Sequence, residues 1–384
     1  MHQIKNISVI FVLLLVSGCI KPYNPVIDTN SANKYVVSGR VTDTEGWQEV
    51  DVSLSSPIGS PKYIPVSDCK VYIKDDKDNI FPLTEYEPGQ YHVWMGKEYL
   101  TPGTSYMVMV VTPGREILSS GFDVMPPGLK LDSVYYLLKD IPTPNPGINS
   151  RVMQFYVDLN AYGNYSQYYK YEVLETWEYH AAHSAEYYYD GSFHKIDPPD
   201  SSNKVCWITV PLKNVFTIST KNLAQNTYKQ YPLHFIDGGT SRLGILYSML
   251  VRQFAVSEMA YNYWEQMRIN SNEQGGLYEK QPLAIKGNML NVSNAEKTVL
   301  GYFYAASESS RRYFYKDVEG IELGFSNNCT EEGLGRMGWL EFSPDDYPVY
   351  YYFPTTHSLL ILSHECIDCR LGGGTTVKPD FWPK

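Results

Sequence analysis

After residue 20 the sequence holds no apolar run approaching the roughly 18 residues that a membrane-crossing helix needs, so no transmembrane helix is expected there. Basic blocks are missing too. Thirty-two Lys and Arg stand against 42 Asp and Glu, for a net charge of −10. An acidic chain without a basic stripe excludes the electrostatic footprint of a nucleic-acid binder and of a polybasic membrane patch. No Gly-x-Ser-x-Gly, Walker or His-Glu-x-x-His pattern occurs, which excludes the nucleophile elbow, the phosphate cradle and the metalloprotease helix. No period of about 20 to 50 residues repeats, so a solenoid or propeller is excluded as well. Charge is low at 19%, yet the aromatic share is 14%, driven by 34 Tyr. That composition describes a folded chain rich in strands and interfaces, because Tyr combines apolar area with a polar tip.

What is present begins at the N-terminus. Lys5 precedes the apolar block Val9 to Val16, which is too short to span a bilayer but suits the core of a secretory signal. The block closes on Val16-Ser17-Gly18-Cys19, which resembles a bacterial lipobox. In that pattern the thiol of Cys19 is lipidated, residues 1–18 are removed and the new N-terminus is acylated. One acyl chain holds a protein marginally and two or more hold it stably, so Cys19 would anchor the chain without a helix. Ile20 rather than Asp follows the cysteine, which favours the outer membrane. Residues 19–33, rich in Pro and Asn, read as an extended tether.

Six cysteines occur in all. With Cys19 used for lipid, five remain in an oxidising compartment, an odd number. Cys69 shares a face with Val71 and Ile73 and reads as a small core residue. Cys206, Cys329, Cys366 and Cys369 then form two disulfides. Cys366 and Cys369 either pair with each other or reach Cys206 and Cys329, and the second arrangement, which staples the tail to the second domain, is the favoured one.

From Lys34 to about Val124, short alternating runs are separated by turn signals, with Pro-Gly pairs starting at Pro102, Pro113 and Pro127 and at Pro88. Residues 34–126 are therefore expected to form a small antiparallel sandwich, immunoglobulin-like in architecture. Cys69–Ile73 and Ile80–Leu83 flank a polar turn and read as a hairpin. Met125-Pro126-Pro127-Gly128 marks the boundary. Residues 127–384 form a second β-rich domain of sandwich type, with strands at Leu131–Leu138, Phe155–Leu159, Tyr168–Trp177, Val205–Val210 and Leu246–Val256. A polar aromatic loop is expected from about His180 to Lys204. The period then changes to that of a helix over about 257–272, capped by Ser257, with Ala260, Tyr263, Trp264 and Met267 facing the sheet and Gln274-Gly275-Gly276 ending it. Thr298–Ala305 and Arg311–Lys316 return to strand, and the tail from Cys329 is loop-rich. The fold class is mainly β, as two sandwich domains with one inserted amphipathic helix.

Candidate chemistry is thin. His364-Glu365-Cys366-Ile367-Asp368-Cys369 packs ligand-type residues densely, but disulfides are favoured over metal there. His180, His183, Glu186 and His194 share the polar loop without the spacing of a metalloprotease. Gly333-Leu334-Gly335-Arg336-Met337-Gly338 has dinucleotide-binding spacing without the flanking strand and helix. Asp75, Asp76 and Asp78 read as a solvated turn, not a calcium loop. Tyr187, Tyr188, Tyr189 and Tyr350, Tyr351, Tyr352 lie in or near expected loops, where stacked rings hold sugars or a partner, although consecutive aromatics in a strand face both ways and part of them is core. No catalytic residue, metal or cofactor is assigned.

Several segments fall in a recognisable order: Tyr35-Val36-Val37-Ser38-Gly39, Leu131-Asp132-Ser133-Val134, Cys206-Trp207, Lys286-Gly287-Asn288, Leu300-Gly301-Tyr302-Phe303, then Cys366-Ile367-Asp368-Cys369-Arg370 and Lys378-Pro379-Asp380-Phe381-Trp382. Together with the lipobox they resemble the Bacteroidetes lipoprotein family catalogued as domain of unknown function 4249. The resemblance implies an outer-membrane lipoprotein of β-sandwich type working beside a TonB-dependent receptor, and it brings no catalytic residues. The acidic cluster that often follows the lipid cysteine in surface-exported lipoproteins of that phylum is missing here, Asp28 being the first acid, so the resemblance does not assign the membrane face. The leading expectation is a non-enzymatic, lipid-anchored accessory or ligand-capturing subunit of a receptor in nutrient uptake. A structural factor in envelope assembly or adhesion is the alternative, and an anchored hydrolase using the His180–His194 loop a third.

Overall fold

The computed structural model describes residues 33–384 except 57–60, 144, 146, 164, 273–284, 325–327, 334–341 and 356–357. Cys19, nearly all of the tether, the helix-ending Gln274-Gly275-Gly276 and most of the Gly333–Gly338 pattern lie outside the described residues.

The chain is mainly β. The N-terminal strands are β1 (Tyr35–Thr42), β2 (Gly46–Leu54), β3 (Ile64–Pro65), β4 (Lys70–Asp75), β5 (Ile80–Glu87), β6 (Gln90–Met95), β7 (Ser105–Val111), β8 (Ile117–Ser120) and β9 (Asp123–Val124). Alternation decides their faces. Val50 and Val52 of β2, Val71 and Ile73 of β4, and Tyr106, Val108 and Val110 of β7 all point into one core. β4 and β5 form the expected hairpin, and the Asp75 carboxylate closes its turn by accepting from the N–H groups of Lys77 and Asn79. Cys69 is buried and free as expected, although it precedes β4 and is not part of it.

Next come β10 (Val134–Pro142), β11 (Asn149–Asn160), β12 (Tyr168–His180), β13 (Ala185–Tyr189), β14 (Phe193–Asp200), β15 (Val205–Pro211), β16 (Phe216–Ser219), β17 (Thr227–Asp237) and β18 (Tyr247–Val256). Helix α1 (Glu258–Asn272) follows, started by the Ser257 hydroxyl accepting from the Ala260 N–H at 3.1 Å. The chain ends with β19 (Met289–Asn291), β20 (Phe303–Tyr315), β21 (Glu331–Gly333), β22 (Val349–Thr355) and β23 (Ser358–Leu362).

Three sequence-based expectations differ from the fold. Residues 180–204 are not a loop: β13 and β14 form a hairpin, and β13 pairs with β22. The tyrosines supply strand propensity, and a partner about 160 residues downstream supplies the pairing that local sequence does not reveal. For the same reason the tail is less loop-rich than expected, since β22 and β23 pair within it. The two strands expected at Thr298–Ala305 and Arg311–Lys316 are one, β20.

Among the described residues the strands form three sheets. The large one runs β15-β12-β18-β20-β1-β2-β6-β5-β4-β7-β8-β19; the others are β10-β11-β17 and β14-β13-β22-β23-β21. The three-stranded sheet covers the β12–β18 face, and Phe155 and Val157 meet Tyr171, Val173, Met249 and Val251 in the second core. The β1–β20 contact is the only parallel pairing of named strands among the described residues, with Gly39 opposite Phe303 and Val41 opposite Ala305. Residues from beyond the expected boundary thus enter the first core: Met289, Val299, Phe303 and Ala305 belong to it. The junction of the two halves is sheet, not linker.

Candidate binding cleft at the sheet junction

Strand periodicity builds the site. Along β12, Tyr169, Tyr171 and Val173 face the second core, so Lys170 and Glu172 face the other way. On β18, Val251 and Ala255 are inward while Arg252 and Phe254 share the opposite face with them, Glu172 being directly opposite Arg252 and Lys170 opposite Phe254. Phe303 and Ala305 of β20 enter the first core, while Tyr304 and Glu308 of β20, and Tyr302 just before it, take the opposite face; on β1, Arg40 lies opposite Tyr304. Helix α1 sets Trp264 over this face, where Ala260, Tyr302, Tyr304 and Phe254 make a small third core. The hollow that remains measures about 400 Å³ and is bordered on the far side by Trp47, Glu49 and Asp51 of β2.

Glu172 is the electrostatic centre. Its Oε1 lies 2.8 Å from both Arg40 Nη1 and Lys170 Nζ, and its Oε2 is 3.7 Å from Arg252. Burial pushes this carboxyl up, but Lys170, Arg40 and Arg252 outweigh burial and hold it down at about 2. Arg252 also forks onto Glu308 at 2.7 and 2.8 Å. The Lys170 side chain is only 7% exposed. Its ammonium sits 3.6 Å from the centre of the Trp264 ring and 3.3 Å from the Tyr304 hydroxyl. Burial on its own would lower the Arg40 proton affinity, and Tyr304 and Glu172 reverse it to a net rise. At the rim, burial and the neighbouring Glu49 raise the Asp51 carboxyl against the pull of Arg40.

Beyond the rim the outer face of β2, β6 and β5 carries aromatic rings. His92 stacks between Trp47 at 4.0 Å and Tyr86 at 4.4 Å, and Trp94 meets Trp47 edge-on. Trp47 and Trp94 are 55% and 54% exposed, and with His92 and Tyr86 they form one contiguous aromatic patch rather than scattered single residues.

The residues singled out from sequence are placed as follows. Disulfides join Cys206 to Cys369 and Cys329 to Cys366, the stapled arrangement. The two tyrosine runs, expected in loops, are instead neighbouring strands, with Tyr187 opposite Tyr351 and Tyr188 opposite Tyr350. Tyr351 is buried, and the other five are half-buried. His180, His183 and His194 do not converge on one another: each lies against its own carboxylate, Glu178, Glu331 and Asp190 respectively. His183 and Glu331 do gather with Cys329, but that sulfur is bonded to Cys366 and two ligands remain, fewer than a zinc site uses. Asp368 pairs with Arg370.

Sequence reading missed the cleft. Its signal was present as charges at alternate positions of strands whose other positions are core, in Tyr169-Lys170-Tyr171-Glu172-Val173 and Val251-Arg252-Gln253. Such charges require partners, and beyond each other they find them in Arg40 of β1 and in Tyr304 and Glu308 of β20, which are not visible locally.

Fold and site together define a mainly β protein whose two halves share a sheet and enclose an open, ion-paired aromatic cleft at the seam. Within that class, the chain belongs to the family described as a domain of unknown function (DUF4249), whose model matches residues 20–312. The matched span contains every residue of the cleft and ends before Cys329. No curated protein is significantly similar to the chain.

Proposed function

We propose that the protein is a lipid-anchored outer-membrane lipoprotein that captures a small polar ligand in the junction cleft and acts as an accessory of a TonB-dependent receptor in nutrient uptake. The observation that carries the reading is the cleft itself. It is concave, about 400 Å³, lined by Trp, Tyr and fixed polar groups, and it falls in the size range of small-molecule sites. Lys170 and both arginines are taken up in ion pairs, which supports a binding role over covalent chemistry at Glu172. The anchor is the Cys19 lipidation inferred from the lipobox. Among the described residues no helix is long and apolar enough to cross a membrane. We read the two halves as sandwiches, the first immunoglobulin-like, from the two cores that their facing strands enclose.

Gentle solubilisation and pull-down of the full chain from its own membranes tests the assignment. Co-recovery of an outer-membrane receptor is expected, together with a growth defect of the deletion strain confined to particular nutrients. Recovery without a receptor, with an envelope or attachment defect on every nutrient, would favour the structural alternative instead.

A further inference from the structure

The cleft also restricts what its ligand is, an inference that rests on the capture reading above. An anionic ligand needs an unclaimed cation, and the chain's own Glu172 already occupies the point where Arg40, Lys170 and Arg252 converge. A cationic ligand inside the hollow would meet the Lys170 ammonium, which already covers the Trp264 ring at 3.6 Å. Three cations and three carboxylates line the hollow, so it carries no formal charge to match. Displacing either internal ion would leave the other buried without its partner, a change that costs more than a surface contact returns.

What the cleft still offers is neutral chemistry. Arg40 uses one nitrogen on Glu172 and Tyr304, which leaves further N–H donors of its planar fork. Glu49 and Asp51 supply acceptors at the rim. His92 covers one side of Trp47, yet the indole lines the cleft and stays more than half exposed. From Trp47 on β2 the ring stack continues through His92 on β6 to Tyr86 on β5, so its exposed edges extend the outer face of Trp47 across three strands, which at about 4.8 Å per strand gives a path longer than one ring. A molecule with apolar ring faces, many hydroxyls and no charge fits both features.

We infer that the ligand is a neutral oligosaccharide, with one end in the Glu172 cleft against Trp47 and the remainder packed along the exposed edges of the Trp94, His92 and Tyr86 rings.

The test is titration of the full-length, detergent-solubilised protein, read by tryptophan fluorescence and calorimetry. The probes are neutral tetrasaccharides of glucose, mannose and xylose, with tetramers of galacturonic acid and of glucosamine as the charged comparison. Saturable binding of a neutral tetramer is expected. Trp47→Ala should weaken it about tenfold or more, and Trp47→Phe should restore most of the affinity. Circular dichroism of the unliganded variants should match the parent chain, and thermal unfolding should fall only slightly for Trp47→Ala, which loses its surface stacking on His92. Binding confined to a charged tetramer would overturn the neutral class, and if Trp47→Ala abolished that binding the capture reading would stand. Binding unaffected at Trp47 would overturn the location. No binding by any probe would overturn the saccharide inference, while a nutrient-specific growth defect would still support capture of another ligand.

Discussion

The Asn288 side chain holds the backbone of Phe303 from both sides. Its Nδ2 donates to the Phe303 carbonyl at 2.6 Å, and its Oδ1 accepts from the Phe303 N–H at 3.0 Å. An amide thus stands in for a strand neighbour where β20 begins, one residue before Tyr304 enters the cleft. Two glycines make the approach possible. A Cβ on Gly287 would collide with the Gly301 carbonyl oxygen, and one on Gly301 with the Val37 carbonyl oxygen. Gly301 also holds φ +96°, which side-chain-bearing residues rarely adopt.

Asn288→Ala leaves both Phe303 groups without that partner and should cost about 1–3 kcal/mol. Gly301→Ala should cost more, because no side-chain movement relieves a collision with backbone. Urea unfolding midpoints measure both. Equal stability of Asn288→Ala and the parent chain would show that the amide clamp contributes nothing to the junction.

Glu172 gives the junction a pH dependence with a fixed sign. Its folded-state carboxyl is held at about 2, below its ordinary 4.5. The stabilisation is therefore complete above pH about 4.5 and is lost as pH falls from there towards 2. Glu172→Gln leaves Arg40 and Lys170 without their carboxylate, while Arg252 keeps Glu308, and should lower stability at neutral pH by ~3 kcal/mol, with a shallower acid limb between pH 4.5 and 2. Stability curves of the two proteins that run parallel across this window would contradict the assignment.

The Cys206–Cys369 bond closes a separation of 163 residues and Cys329–Cys366 one of 37. Constraint of the unfolded chain grows with loop length, so the paired change Cys206→Ala with Cys369→Ala should cost the more, roughly 2–5 kcal/mol. Thiol counting on the unfolded, unreduced, lipidated chain should find one thiol, Cys69. Three or more would contradict the pairing.

The tyrosine sheet separates packing from exposure. Tyr351 is 1% exposed, and Tyr351→Ala should cost roughly 3–5 kcal/mol through lost packing. Tyr188 is half-buried and stacked on His194 at 4.7 Å, and Tyr188→Ala should cost about 1 kcal/mol. Comparable unfolding free energies for the two variants would show that the sheet does not pack as described.

Local pattern made much of this architecture legible. Alternation in Val71-Tyr72-Ile73 and turn residues at Asp75–Asn79 specify a hairpin by themselves, and Ser257 with Ala260, Tyr263 and Trp264 specifies a capped helix and its buried face. Parity in an expected oxidising compartment singled out Cys206, Cys329, Cys366 and Cys369 as the bridged cysteines, while their connectivity stayed open between two arrangements until the fold set Cys206 beside Cys369. What stayed hidden depends on partners far along the chain. The 187–189 tyrosines become a strand through pairing with 349–351, and β1 takes a parallel neighbour that starts some 260 residues later. The cleft is the extreme case, because Lys170, Glu172, Arg252 and Arg40 carry meaning only once four strands set them on one face.

Nutrient uptake by a deletion strain complemented with the Trp47→Ala chain tests the central claim most directly. Trp47 is exposed at the cleft rim, so the variant should be made, anchored and folded as the parent is. Uptake of one nutrient class should then fall to the level of the deletion strain, with uptake of the others unchanged. Uptake equal to that of the parent-complemented strain on every nutrient would contradict ligand capture at the junction.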